Sequence, residues 1–222
     1  MQILDPSSTY TRFEAWAYDT FTAPALNRWI ETNLLDSLLE PVPDDGTVLD
    51  VGCGGGQLPL AIKDHRPDLS VTGLDLSADQ IRWATDRSGG DNPDVPFLVA
   101  NALQLPFPDD HFDLVVSVGS IKYWPDQPLG LNECQRLLKS SGTLRILEAD
   151  PEVSWRRAWA FTGELNFPGP LRLPFMPYFK YVVAGNGLTE SRAEQLISGT
   201  NPAHYRVRRL QEKPLVDIKA RK

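Results

Sequence analysis

The sequence predicts an α/β protein: a doubly wound, mostly parallel sheet with helices on both faces, a C-terminal antiparallel hairpin and an inserted cap. Three observations predict it. From residue 47 onward, β-type runs alternate with helical patterns at the spacing of crossovers in a parallel sheet. Near the C-terminus, HYRVRRLQEKPLVDIKAR reads as two strands joined by a tight turn, a hairpin instead of a further crossover. Between these regions, residues 151–184 break the rhythm with a stretch far longer than a usual strand-to-helix connection.

The elements follow in order. Residues 1–42 read as a helical N-terminal cap segment, in which Leu26, Trp29, Ile30, Leu34, Leu38 and Leu39 fall at helical spacing before PVPDDG ends the pattern. TVLDV is a strand, and GQLPLAIKDH is a helix that tolerates Pro59 in or near its first turn. SVTGLDL is the second strand. Ser77 starts the next helix, where S-A-D-Q at 77–80 is a capping-box pattern. PFLVAN is a short strand, and FDLVVSV is apolar enough to be buried on both faces. Residues 127–139 are helical, TLRILEA is the fifth strand, and LTESRAEQLIS is the last helix. The chain therefore divides into the segment 1–42, a core at 43–150, the cap at 151–184, and a helix and hairpin at 185–222 that complete the core.

Composition narrows the function. A length of 222 residues fits one elaborated domain. The net charge of −7 argues against a nucleic-acid backbone as main partner. Two cysteines, Cys53 and Cys134, cannot build a structural zinc site and suggest no disulfide scaffold, so no metal and a cytoplasmic location are expected. The N-terminus lacks the basic head and apolar core of a secretory signal, and no apolar run approaches a membrane span.

The chemistry begins at VLDVGCGGGQ, residues 48–57. Gly52, Gly54 and Gly56 allow a sharp turn at a strand end and bare main chain against a ligand. The loop N–H groups and the following helix N-terminus can receive a carboxylate or phosphate. A dinucleotide fingerprint needs glycine where Gln57 stands. Asp50, two residues before the first glycine, suits a cationic ligand or one with an ammonium group.

D-V-G-C-G-G-G resembles the first motif of the class I S-adenosylmethionine-dependent methyltransferases, which share a Rossmann-like fold. LDLS at 74–77, ANALQLPFPDDHFDLVVS at 100–117 and LLKSSGTLRILEA at 137–149 are similar to later motifs of that family, in the same order. The likeness covers roughly 45–150. It implies S-adenosyl-L-methionine as cofactor. Asp50 and the glycines would cradle its methionine end, and Asp75 would take the ribose beside Leu76. Asn101, Ala102 and Leu103 would take the adenine, Gly119 would leave room near the sulfonium, and Tyr18 or Tyr10 would close over it. Two departures from the family stand out: Asn101 stands for an aspartate, and Ser140 and Ser141 replace a proline and a glycine in a structural turn before the fifth strand.

Such a cofactor carries the activation, and the protein aligns the acceptor. SVGSIKYWPD lacks the Asn-Pro-Pro-aromatic sequence of many nucleic-acid and protein amide N-methyltransferases. Tyr123 is the candidate for orienting an acceptor. Trp124 is expected to pack under the following helix, and Lys122 to be a solvated surface charge. His65, His111 and His204 read as structural or surface residues, Asp109 and Asp110 as turn residues. The cap holds eight of the 21 aromatic residues and five of the 19 prolines, which suggests an apolar, aromatic or lipid-like small-molecule acceptor. Its arginines Arg156, Arg157 and Arg172 could receive an anion. O-methylation is favoured on family frequency. A repurposed or non-catalytic cofactor-binding fold and a protein or RNA methyltransferase remain open alternatives. A nicotinamide dehydrogenase is opposed by Gln57 and Asp50.

Overall fold

The computed structural model describes residues 20, 23–89, 94–164, 169–210 and 213–222. Helix α1 (Ala23–Asn33) and the short α2 (Leu35–Leu39) stand where one helical segment was expected. They separate because Leu34 leaves helical geometry, at φ −127°. Then come β1 (Thr47–Val51), α3 (Gln57–His65), β2 (Ser70–Asp75), α4 (Ala78–Arg87), β3 (Phe97–Val99) and β4 (Phe112–Val118). A 3-10 turn (Ile121–Tyr123) leads to α5 (Gln127–Leu137) and β5 (Leu138–Ala149). Next are α6 (Trp155–Thr162), α7 (Gly169–Tyr178) with a π turn (Phe179–Val183), and α8 (Glu190–Ser198), before β6 (His204–Arg209) and β7 (Leu215–Arg221).

The seven strands form one sheet in the order β3-β2-β1-β4-β5-β7-β6. β1 to β5 are parallel, and β7 runs antiparallel to both β5 and β6. The tight turn expected in the hairpin falls partly on residues 211–212, outside the described ones. Strand alternation divides the core. Leu114 and Val116 of β4 share one face with Ile30 of α1 and Ile62 of α3, whereas Val115 shares the other with Leu131 of α5 and Leu196 of α8. Such two-sided burial explains why FDLVVSV reads as a continuous apolar run.

Two features differ from a regular ladder of apolar strands. The turn at Ser140–Gly142 is a bulge inside β5. Phe112 pairs with Leu138 and Leu114 with Thr143, so β5 advances five residues while β4 advances two. Gly142 is held against main chain there, its Cβ position lying 2.9 Å from the Lys139 carbonyl oxygen and 3.0 Å from that of Phe112. The second difference is a buried charge in mid-strand. Arg145 of β5 forms a two-pronged ion pair with Asp217 of β7, with Nη2 at 2.9 Å from Oδ2, and Arg208 of β6 reaches the same carboxylate at 2.8 Å. One aspartate thus ties three strands together.

In the segment expected to be a cap, residues 151–184, Val153, Ala158, Phe161, Met176 and Phe179 form a small core that seats on Ala149 at the end of β5. Ser154 caps α6 by accepting the Arg157 N–H at 3.3 Å. Pro174 and Pro177 lie inside α7 and withhold two backbone donors from it. Phe167 lies outside the described residues.

The sheet's tightest seam lies beneath the glycine loop. A Cβ on Gly73 of β2 would stand 2.7 Å from the Phe97 ring and 2.9 Å from Cys53 Sγ. Gly73→Ala is expected to destabilise the fold by about 1–3 kcal/mol through overpacking, read as a lower urea midpoint at unchanged slope.

Candidate active site

β1 lies between β2 and β4, so the crossovers that leave its two sides diverge at its carboxyl end. That divergence opens a crevice, the usual ligand position in doubly wound sheets. The cleft here encloses about 980 Å³ of empty space, counting its open mouth. Asp50, Gly52, Gly54, Asp75 and Leu76 line one side. Asn101, Ala102, Leu103, Gly119 and Tyr123 line the rest. Gly56 does not reach the cleft, and Tyr10 and Tyr18 lie outside the described residues.

The loop glycines serve different ends. Gly52 has φ +78° and a Cβ there would collide with Ser120 Oγ at 2.0 Å, so it lets the two loops meet. Gly56, at φ +81°, packs against Phe97 and Ala84, where a Cβ would come within 2.7 and 2.8 Å. Gly54, at φ +54°, faces open space, its nearest neighbour being Gln80 Oε1 at 3.8 Å from the Cβ position. Of these three, Gly54 has the open side on which bare main chain can meet a ligand. Arg87 of α4 pins the loop by donating to the Gly55 carbonyl.

Two carboxylates flank that space. Asp75 is held by backbone donors: Gly54 N–H reaches Oδ2 at 3.0 Å and Ser77 N–H reaches Oδ1 at 2.8 Å. Burial raises its pKa, and these N–H bonds oppose the shift. Each oxygen keeps a second lone pair. Asp50 is 2% exposed, and its Oδ1 has no hydrogen-bond partner among the described residues. Burial first, and the Asp75 charge second, push its carboxyl up to about 8. A buried acceptor without a donor is costly in a folded chain and calls for a ligand with hydrogens to give.

The sequence reading missed Gln80 as a cleft residue. Its capping-box role is half formed: Ser77 Oγ accepts the Gln80 N–H at 3.4 Å, but the Ser77 N–H goes to Asp75 instead of to the Gln80 side chain. The glutamine amide is thereby released into the cleft wall, with Oε1 buried and unpartnered among the described residues. Asn101 folds its Oδ1 back on the Leu103 N–H at 2.9 Å, fixing the 101–103 turn and leaving one lone pair on that oxygen.

On the far wall, Tyr123 is 45% exposed and faces the cleft. Trp124 packs as expected, its ring filling the space where a Cβ on Gly130 of α5 would stand at 2.5 Å. It also borders the cleft and donates Nε1–H to Ser120 Oγ at 2.9 Å. Lys122 is not a solvated charge. Its side chain is 4% exposed and its Nζ lies 2.8 Å from Oε1 of the fully buried Glu148. Burial opposes its charge, but the Glu148 carboxylate outweighs that and its pKa is raised. The Lys122 and Ala149 N–H groups also donate to Glu148, at 3.3 and 2.7 Å. The signal for this pair was present: Glu148 is the one acid in TLRILEA, an otherwise buried strand, and a buried carboxylate demands a partner.

No histidine reaches the cleft. His65 pairs with Asp36 at 2.9 Å, His111 stacks on Phe107 and meets Phe112 edge-on, and His204 begins β6. Asp109 and Asp110 accept from Arg136 and Lys222 at the turn before β4. Arg172 lies over the Trp159 ring at 3.9 Å.

The sheet order, the glycine loop and the two carboxylates at the switch point make a Rossmann-like ligand-binding fold. Residues 49–146 match the family model described as a methyltransferase domain. The chain is 32% identical over 171 residues to the demethylmenaquinone methyltransferase of Porphyromonas gingivalis, covering 72% of this chain and 70% of that one. It is 36% identical over 149 residues to 2-methyl-6-phytyl-1,4-hydroquinone methyltransferase 1, chloroplastic, of Oryza sativa, covering 66% of this chain and 44% of the relative. The chain thus spans less than half the length of the rice relative. Among solved structures, a SAM-dependent methyltransferase from Aquifex aeolicus superposes with a TM-score of 0.64 at 19% identity, over 96% of this chain and 98% of that one. The plantazolicin methyltransferase BpumL, solved with SAH, gives 0.68 at 16% identity over 90% and 85%. The chain belongs to the class I S-adenosylmethionine-dependent methyltransferases.

The raised pKa of Asp50 sets a pH dependence. Between the ordinary aspartate value and about 8, the folded protein holds a proton that the unfolded chain has released. Stability of the ligand-free protein therefore falls as pH rises through that window. Thermal melts from pH 5 to 8.5 are expected to show this decline, and Asp50→Asn to flatten it.

Proposed function

We propose that this chain transfers a methyl group from S-adenosyl-L-methionine to a small acceptor with an aromatic ring of the quinone or hydroquinone class and an apolar chain. The observation that carries the cofactor half is the unpartnered Asp50 carboxylate beside the bare main chain of Gly54. Such a pair fits an amino acid end whose ammonium needs an acceptor and whose backbone-like atoms need space. The acceptor half rests on the two relatives, whose names specify a quinone and a phytyl hydroquinone.

In this reading Asp50 ionises to hold the ammonium, and Gln80 Oε1 is a second acceptor within the same wall. Gly52, Gly54 and Gly56 shape the loop under the methionine end. Asp75 offers its remaining lone pairs to the ribose, Leu76 covers the adenine, and Asn101, Ala102 and Leu103 form the adenine edge. Gly119 keeps the sulfonium end clear. When bound, S-adenosylmethionine supplies a methyl group already attached to a good leaving group. The chain's own work is to orient the acceptor ring against Tyr123 and to exclude water with the cap. Tyr123 is also the cleft phenol able to hold or pass a proton from an acceptor hydroxyl. Both cysteines are free and buried, which fits a reducing, cytoplasmic setting.

Incubation with methyl-labelled S-adenosylmethionine, a prenylated hydroquinone and, separately, a cell extract tests the reading. Label in the organic-soluble fraction supports it, and the product's methyl resonance separates a methoxy from a ring methyl. Label in protein or RNA overturns the acceptor class, and tight cofactor binding without transfer makes this a repurposed fold. Asp75→Ala is expected to weaken cofactor binding by about 1–3 kcal/mol through loss of a charged acceptor, measured by calorimetry on the folded variant.

A further inference from the structure

The cap's packing accounts for only one face of its helices. Ala158, Phe161 and Thr162 of α6 and Met176 of α7 turn inward. Flanking that inward stripe, Trp155 and Trp159 are 48% and 42% exposed, and on the later segments Leu173 and Tyr181 reach 69% and 66%. Trp155 and Trp159 lie one turn apart on α6, and each meets a neighbour from the later segment. Trp155 meets Tyr181 edge-on at 5.7 Å between ring centres, and Trp159 carries the Arg172 guanidinium on its face. Large apolar side chains gathered on an outer surface mark an interaction site.

The charge around them selects the partner. Residues 151–184 hold four cations, Arg156, Arg157, Arg172 and Lys180, against Glu152 and Glu164, a net of +2 in a chain of net −7. Both glutamates are already engaged from elsewhere, Glu152 by Arg209 and Glu164 by Lys213. Lys180 donates to the Pro151 carbonyl, and Arg156, Arg172 and Lys180 make no ion pair among the described residues. Tryptophan and tyrosine at the rim of an apolar layer, with long basic side chains beside them, are the composition of a membrane–water interface.

We propose that the outer face of α6 and α7 is a surface that docks on an anionic lipid bilayer, seating Trp155, Trp159, Leu173 and Tyr181 at headgroup depth. This surface is the same whichever acceptor the cleft takes.

Vesicle flotation of the full chain, without cofactor or acceptor, tests it. The protein is expected to float with phosphatidylcholine–phosphatidylglycerol vesicles, with a blue shift of indole emission, and more weakly with phosphatidylcholine alone. Leu173→Ser/Tyr181→Ser changes two outward side chains and is expected to lower partitioning at least about tenfold. Tyr205→Ser, at an exposed tyrosine on β6, leaves it unchanged. Absence of flotation, or equal flotation of the double variant, overturns the proposal. So does a concentration-dependent dimer that the double variant abolishes, which would make the surface a contact between copies.

Discussion

A carboxyl group buried at the mouth of a parallel sheet, one oxygen of which meets no donor among the described residues, is the constraint around which this molecule is arranged. Asp50 sits where β1 ends and the crossovers part, and its buried Oδ1 meets no donor among the described residues. The fold could remove that cost by substituting an apolar residue, as it does at Val48, Leu49 and Val51 of the same strand. It instead keeps the charge site and builds bare backbone beside it. The neighbouring Asp75 raises the cost further, since two carboxylates in one cleft disfavour each other's ionisation. A buried carboxyl group whose charge is disfavoured while the cleft is empty would gain most from a cationic ligand.

Much of this was legible in the sequence because local rules and global fold agree. Strand and helix alternation, the glycine loop and the hairpin all follow from short-range patterns, and the structure places Asp75 and the 101–103 turn at the mouth of the same cleft as Asp50. The failures have a common physical origin. Lys122 reads as a surface charge because lysines usually are, and its burial depends on Glu148, 26 positions away and brought close only by β4–β5 pairing. Gln80 reads as a cap because the capping box is a local pattern, but Asp75 takes the N–H that would have completed it. The Ser140–Gly142 turn becomes a bulge because β5 continues pairing on both sides of it. In each case a long-range partner overrides a short-range preference.

The wall opposite the carboxylates has the reverse logic. There the buried charges are matched: Lys122 with Glu148, the indole of Trp124 with Ser120, the carboxylate oxygens with backbone donors. A satisfied polar network rigidifies. It leaves Tyr123 as an exposed side chain on a fixed base, and it anchors the end of β5 on which the cap's small core is seated. One side of the cleft is poised for a ligand, and the other is a stiff platform that joins cap to sheet.

The Arg145–Asp217 pair has a consequence for how the chain assembles. β5 gains its second neighbour only when β7 arrives, and their pairings join residues as distant as Thr143 and Arg221. Contacts so far apart in sequence form late, because the intervening loop must first be closed at an entropic cost. Until then β5 is an open edge of apolar residues, the kind of template on which other chains add. Arg145 sits in the middle of that edge, and an uncompensated guanidinium there repels stacking of a second copy. The correct partner strand alone brings the carboxylate that neutralises it, so the same arginine that locks the finished sheet also guards the unfinished one.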